Sequence, residues 1–108
     1  LYLQVGALQF QDETPRCGLA GPRFDLVGWG TQFLDADLDG WLDVTVSNGH
    51  INNLADHGKP YRMPPFVFRN TGAGRMSPVA PRQLGAYFEG EYLGRGMARA
   101  DWNRDGLD

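Results

Sequence analysis

Apolar and polar positions alternate most clearly at Leu42-Asp43-Val44-Thr45-Val46, where β-branched residues also gather, and this predicts a half-buried strand. Phe66-Val67-Phe68-Arg69-Asn70 predicts a second strand. Thr71-Gly72-Ala73-Gly74 then supplies a turn and Arg75-Met76-Ser77 a return strand, so this region reads as a hairpin. Trp29 to Leu34 is apolar or small, follows the glycine-rich Val27-Gly28-Trp29-Gly30 and has no helix cap before it, which predicts another strand. At the start, Leu1 to Gln4, the turn Val5-Gly6-Ala7-Leu8 and Gln9-Phe10-Gln11 predict a further hairpin. Asn48 to Pro65 is rich in Asn, Gly and Pro, holds both histidines and reads as a long loop.

These elements repeat. A shift of 66 positions places Gly28 on Gly94, Gly30 on Gly96, Asp35 on Asp101, Asp37 on Asn103, Asp39 on Asp105 and Gly40 on Gly106. The same shift, without a gap, sets Tyr2 on Phe68, Gly6-Ala7 on Gly72-Ala73 and Pro15-Arg16 on Pro81-Arg82. Each repeat then holds about four strands: one before an acidic loop, one after it, and a hairpin. A four-stranded unit repeated in sequence is the signature of a β-propeller blade. The predicted fold class is therefore all-β, a fragment of a β-propeller with Asp-rich calcium loops. Residues 1–27 would be the hairpin and linker that end one blade, 28–93 a complete blade, and 94–108 the truncated start of the next. On this reading the chain is a piece of a longer protein, and it carries unpaired strand edges.

The loop Asp35-Ala36-Asp37-Leu38-Asp39-Gly40-Trp41-Leu42-Asp43 places carboxylates at positions 1, 3, 5 and 9. Calcium takes six to eight oxygens at about 2.3–2.6 Å, and alternate residues of a curled loop turn inward to supply them. Gly40 allows the sharp turn, Trp41 offers its carbonyl at position 7, and Asp43 closes the site. Magnesium demands stricter octahedral geometry, so calcium is the expected ion. The alternative is a solvated acidic turn, which would crowd four carboxylates with no basic residue between Leu26 and Asn48. An EF-hand is excluded, because position 12 is Val46 and the flanks read as strands. The second loop offers Asp101, Asn103 and Asp105, with Leu107 at position 7. Asp108 stands at position 8, so the closing position 9 lies beyond the chain, and this site is expected to be weak or empty.

Composition narrows the function. The chain has 108 residues, 42% hydrophobic and 21% charged, with fifteen glycines and seven prolines, as expected for a folded domain of short strands and turns. Net charge is −3, and nine of the thirteen acids lie in 35–43, in 101–108 or near the start. No basic stripe with interleaved aromatics suggests nucleic acid, and no apolar run reaches membrane-spanning length. Cys17 is the single cysteine and reads as a small, partly buried residue.

The motifs resemble a known family. Both loops are similar to the FG-GAP or VCBS repeats of integrin-α-like propellers. Gly28-Trp29-Gly30-Thr31 ahead of Asp35 resembles the ASPIC/UnbV-associated group more specifically, as do Ser47-Asn48-Gly49-His50, Phe68-Arg69-Asn70-Thr71-Gly72 and Gly94 to Asp101. The resemblance implies a propeller of seven blades, with calcium between the first two strands of a blade. It also implies an extracellular, periplasmic or cell-surface location. It does not settle the function, since one fold serves many.

His50 and His57, with Asp56 nearby, lie in the long loop without a defined geometry, and no nucleophile motif is present. Trp29, Trp41 and Trp102 flank the acidic loops and are expected to pack rather than to stack on sugars. The expected function is non-enzymatic: a calcium-binding interaction or adhesion scaffold whose partner is a protein or a surface glycan. The alternative is a propeller that supports an enzyme domain in a longer protein.

Overall fold

Short alternating segments separated by glycine turns can hydrogen-bond to their neighbours in sequence, and the chain takes this simplest pairing. The computed structural model describes residues 1–21 and 25–107. Strands β1 (Tyr2–Gly6) and β2 (Gln9–Asp12) form a two-stranded antiparallel sheet. Strands β3 (Gly28–Leu34), β4 (Asp43–Asn48), β5 (Phe66–Asn70) and β6 (Met76–Pro78) form a four-stranded antiparallel sheet in chain order. The protein is thus mostly β, with two antiparallel sheets.

The 66-residue repeat is visible in strand register. In the second hairpin, Phe68 lies opposite Pro78, Arg69 opposite Ser77 and Asn70 opposite Met76. In the first, Tyr2 lies opposite Asp12, Leu3 opposite Gln11 and Gln4 opposite Phe10. Each of these pairs is the other shifted by 66 positions. The environments differ, however. Val67 and Phe68 are buried on β5, whereas Tyr2, Leu3, Val5 and Phe10 of the first hairpin are exposed.

The buried apolar residues are Cys17, Val44, Met63, Val67 and Phe68. Phe66 meets Phe68 edge-to-face, with ring centroids 5.0 Å apart. Met63 ties the long loop to this core. Its sulfur accepts the Val27 N–H at 3.2 Å, and its backbone exchanges two hydrogen bonds with Tyr92. A bridge between Gly49 and Arg62 closes the base of the loop, so Asn48, Gly49, Met63 and Pro65 are buried. The segment 48–65 is therefore an excursion with a packed base rather than a plain surface loop, and one 3-10 turn (Ala55–His57) stands in its outer part.

Two helical turns, α1 (Pro81–Leu84) and α2 (Ala86–Glu89), break the all-strand expectation. Pro81 suits a first helical position, and the Gln83 side chain accepts the Ala80 N–H at 3.3 Å. No helix among the described residues is long and apolar enough to cross a membrane.

Residues 94–97 press against the face of β3 and β4. Gly94 N–H donates to the Asn48 carbonyl at 2.9 Å. A Cβ on Gly94 would stand 2.9 Å from that same oxygen, and one on Gly30 would stand 2.6 Å from the Met97 nitrogen. At Gly30 and Gly94 two backbones come too close for a side chain.

Candidate metal centre

Leu34 ends β3 opposite Asp43, which begins β4, so residues 35–42 must reverse the chain between adjacent strands. Asp35 organises the reversal. Its Oδ1 accepts the Asp39 N–H at 3.0 Å and its Oδ2 accepts the Gly40 N–H at 2.9 Å. The curl takes Leu38 to a φ of 58° and Gly40 to 89°, the left-handed region that glycine enters without strain. Asp39 Oδ1 then accepts the Trp41 N–H at 2.9 Å.

Asp43 works differently. It is 1% exposed, and both its oxygens accept backbone N–H groups: Ala36 at 3.1 Å across the loop and Asn70 at 2.8 Å on β5. Asn70 answers by donating its side-chain amide to the Leu42 carbonyl at 3.2 Å. A buried carboxylate with two N–H donors fixes the loop to the third strand.

Asp35, Asp37 and Asp39 each present an oxygen within 4.8 Å of the others. Two oxygens bound to one calcium at about 2.3–2.6 Å stand no more than about 5.2 Å apart, so this donor set fits a hard cation. The structure also brings in a cation of its own. Arg69, from the exposed side of β5, places Nε 2.5 Å from Asp37 Oδ2 and Nη2 3.0 Å from Asp39 Oδ2. The carboxylates therefore have a counter-ion that lies distant in sequence. The Trp41 N–H foremost, and then Arg69, hold the Asp39 carboxyl below its ordinary value. Asp39 and Asp37 in turn raise the Arg69 guanidinium above its own.

The second loop reproduces the backbone of the first. Asp101 accepts the Asp105 N–H at 3.0 Å and the Gly106 N–H at 2.8 Å, and Asp105 accepts the Leu107 N–H at 2.9 Å. Arg104 and Gly106 have φ of 62° and 89°, matching Leu38 and Gly40. At position 3, Asn103 donates its amide to Asp105 Oδ2 at 2.7 Å. Asp108 lies outside the described residues.

Between the loops lies a half-open cavity of about 450 Å³. Leu34, Leu38 and Leu42 line one side, Gly106 and Leu107 the other, with Arg99 at its margin. Arg99 Nη1 donates to the Phe33 carbonyl at 2.7 Å.

The other sequence candidates serve the scaffold. His50 Nδ1 accepts the Asn52 N–H at 3.2 Å, and the His50 carbonyl accepts Arg95 Nη2 at 3.0 Å. Among the described residues, the Asp35-Asp37-Asp39 group is the one cluster of three potential ligands, so His50, Asp56 and His57 lie outside any such group. Trp29 donates its indole N–H to the Gly49 carbonyl at 2.6 Å beneath the Arg95 guanidinium, whereas Trp102 is 88% exposed and unpacked. Among the described residues, Asn48 Oδ1 is the buried side-chain atom without a partner. It sits at the opposite end of β4 from the acidic loop. Arg69 is the residue at the acidic cluster that the sequence reading missed. Its signal was the β4–β5 register: with Val44 opposite Phe68, Arg69 falls beside Asp43 at the mouth of the loop.

Compared with known protein families, curated proteins and solved structures, the chain matches none.

Proposed function

We propose that this chain is a non-enzymatic, calcium-binding segment of a β-propeller, acting outside the cytoplasm as a scaffold that binds a protein or a surface glycan. The observation that carries the reading is the second loop. Two stretches 66 residues apart, differing at positions 2, 3, 4, 7 and 8, fold their acidic side chains onto the same backbone N–H groups. Repeated cation sites require this recurrence of one donor arrangement, and it supports the reading. The four-stranded sheet is one blade in this reading, and residues 94–97, packed on its face, begin the next.

Asp35, Asp37 and Asp39 would hold the ion, with the Trp41 carbonyl and Asp43 completing the set. In the second loop, a weak or empty site on this reading, Asp101, Asn103, Asp105 and the Leu107 carbonyl would take the same places. Calcium supplies charge neutralisation, and the loop residues supply the turn that joins two strands. Affinity belongs in the roughly 10⁻⁴–10⁻³ M range of extracellular modules.

Differential scanning calorimetry tests this. Calcium at about ten times its dissociation constant should raise the melting temperature by about 5 °C or more, and Asp39→Ala should abolish the rise. A wild-type melting temperature indifferent to calcium would sink the proposal.

A further inference from the structure

We infer that Arg69 is a built-in competitor for the first cation site: its guanidinium stands in for the metal in the calcium-free protein and leaves Asp37 and Asp39 when the metal binds. This rests on the calcium reading of the loop and adds a residue that the loop motif does not contain.

Several of the loop's carboxylate oxygens are already committed. Asp35 uses both oxygens on the N–H groups of Asp39 and Gly40, and Asp39 uses Oδ1 on the N–H of Trp41. Asp39 Oδ2 and both oxygens of Asp37 take no backbone donor, and Arg69 engages Asp37 Oδ2 and Asp39 Oδ2. One edge of a planar guanidinium spans two carboxylates here, a geometry that a point charge such as lysine does not reproduce.

The second loop supplies an internal control. Asp105 Oδ2 is the counterpart of Asp39 Oδ2, and it too has a side-chain donor, the neutral amide of Asn103 at 2.7 Å. The same oxygen is thus neutralised by a cation in one loop and merely hydrogen-bonded in the other. A divalent ion drawing on Asp37 and Asp39 would lie within a few ångströms of Arg69, where charge repulsion disfavours joint occupancy by about tenfold or more. Arg69 therefore keeps the loop ordered without metal and weakens its affinity for metal, so that binding becomes an exchange.

The test is calcium titration by isothermal calorimetry on the wild-type chain, Arg69→Gln and Arg69→Lys, with far-UV circular dichroism confirming the fold of each. Arg69→Gln should bind calcium about tenfold more tightly, since it removes two exposed ion pairs that compete with the metal, and Arg69→Lys should fall between. The wild-type protein gives a second readout that depends on no variant. The Arg69 Nε–H resonance should move to the free-guanidinium position as calcium is added. Equal or weaker binding by Arg69→Gln, or an Arg69 signal unmoved while calcium binds, overturns the competitor and leaves the calcium site standing. Absence of calcium binding in all three proteins overturns both.

Discussion

The two acidic loops share a backbone and differ in what surrounds it. Residues 35–43 bridge two strands of a four-stranded sheet and are held from outside by Asn70, through Asp43, and by Arg69. Residues 101–107 curl through the same internal hydrogen bonds, and both loops expose apolar side chains: Leu38, Trp41 and Leu42 in the first, Trp102 and Leu107 in the second. The internal bonds of Asp35 and Asp101 are thus enough to shape the curl. They do not decide how firmly it is anchored; contacts from the neighbouring strand do that.

The largest effect should come from Asp43→Ala. It leaves the N–H groups of Ala36 and Asn70 without their charged acceptor in a half-buried place, at a cost of about 2 kcal/mol by chemical denaturation. Asp105→Ala in the outer loop should change the same measurement by about 0.5 kcal/mol or less. Equal losses would erase the contrast between the loops.

Glycine-to-alanine exchanges give a finer comparison. Gly40 and Gly106 both have φ of 89° and open space where a Cβ would go, so each exchange adds the same local strain, about 1 kcal/mol. Gly40→Ala should lower global stability by about that amount. Gly106→Ala should lower it by less than half as much, because a loop that opens before global unfolding contributes little to it. Hydrogen exchange of the Gly40 and Gly106 amides should rank the two loops in the same order.

The smallest effect is acid loosening of the Arg69 clamp in calcium-free buffer. The Trp41 N–H and Arg69 hold the Asp39 carboxyl below its ordinary value. Its contribution is therefore complete above the ordinary carboxylate range, and it is lost as the pH falls through the lowered value. The Arg69 Nη2–H resonance, on Asp39, should stay constant from neutral pH to about pH 4 and shift only below it. A shift centred near pH 6 would show that another group controls the clamp.

Much of this was legible in the chain. The β-branched and aromatic runs at 42–46 and 66–70 foretold β4 and β5 to within two residues, although burial along β4 does not alternate: Asp43 and Val44 are both buried, as are Ser47 and Asn48. The curl of the loops was legible because the bonds of Asp35 and Asp39 run between residues two to five apart. Arg69 was not, since its tie to Asp37 and Asp39 spans the β4–β5 pairing and the long excursion between them. The buried base of that excursion depends on Met63 meeting Tyr92, which no local pattern announces. The turns α1 and α2 are four residues each, too short to display a helical period.

The outer edge of the four-stranded sheet has a consequence for how these proteins behave at high concentration. Met76 N–H, which points away from β5, donates to the Cys17 carbonyl, and the next outward position is Pro78, which has no N–H to offer. The turn at Cys17-Gly18 thus ends the ladder, and β6 presents no free strand donor to a second molecule. Growth by addition of strands, the first step toward fibres, is blocked on that side by a carbonyl and an imino acid, at no expense in surface charge.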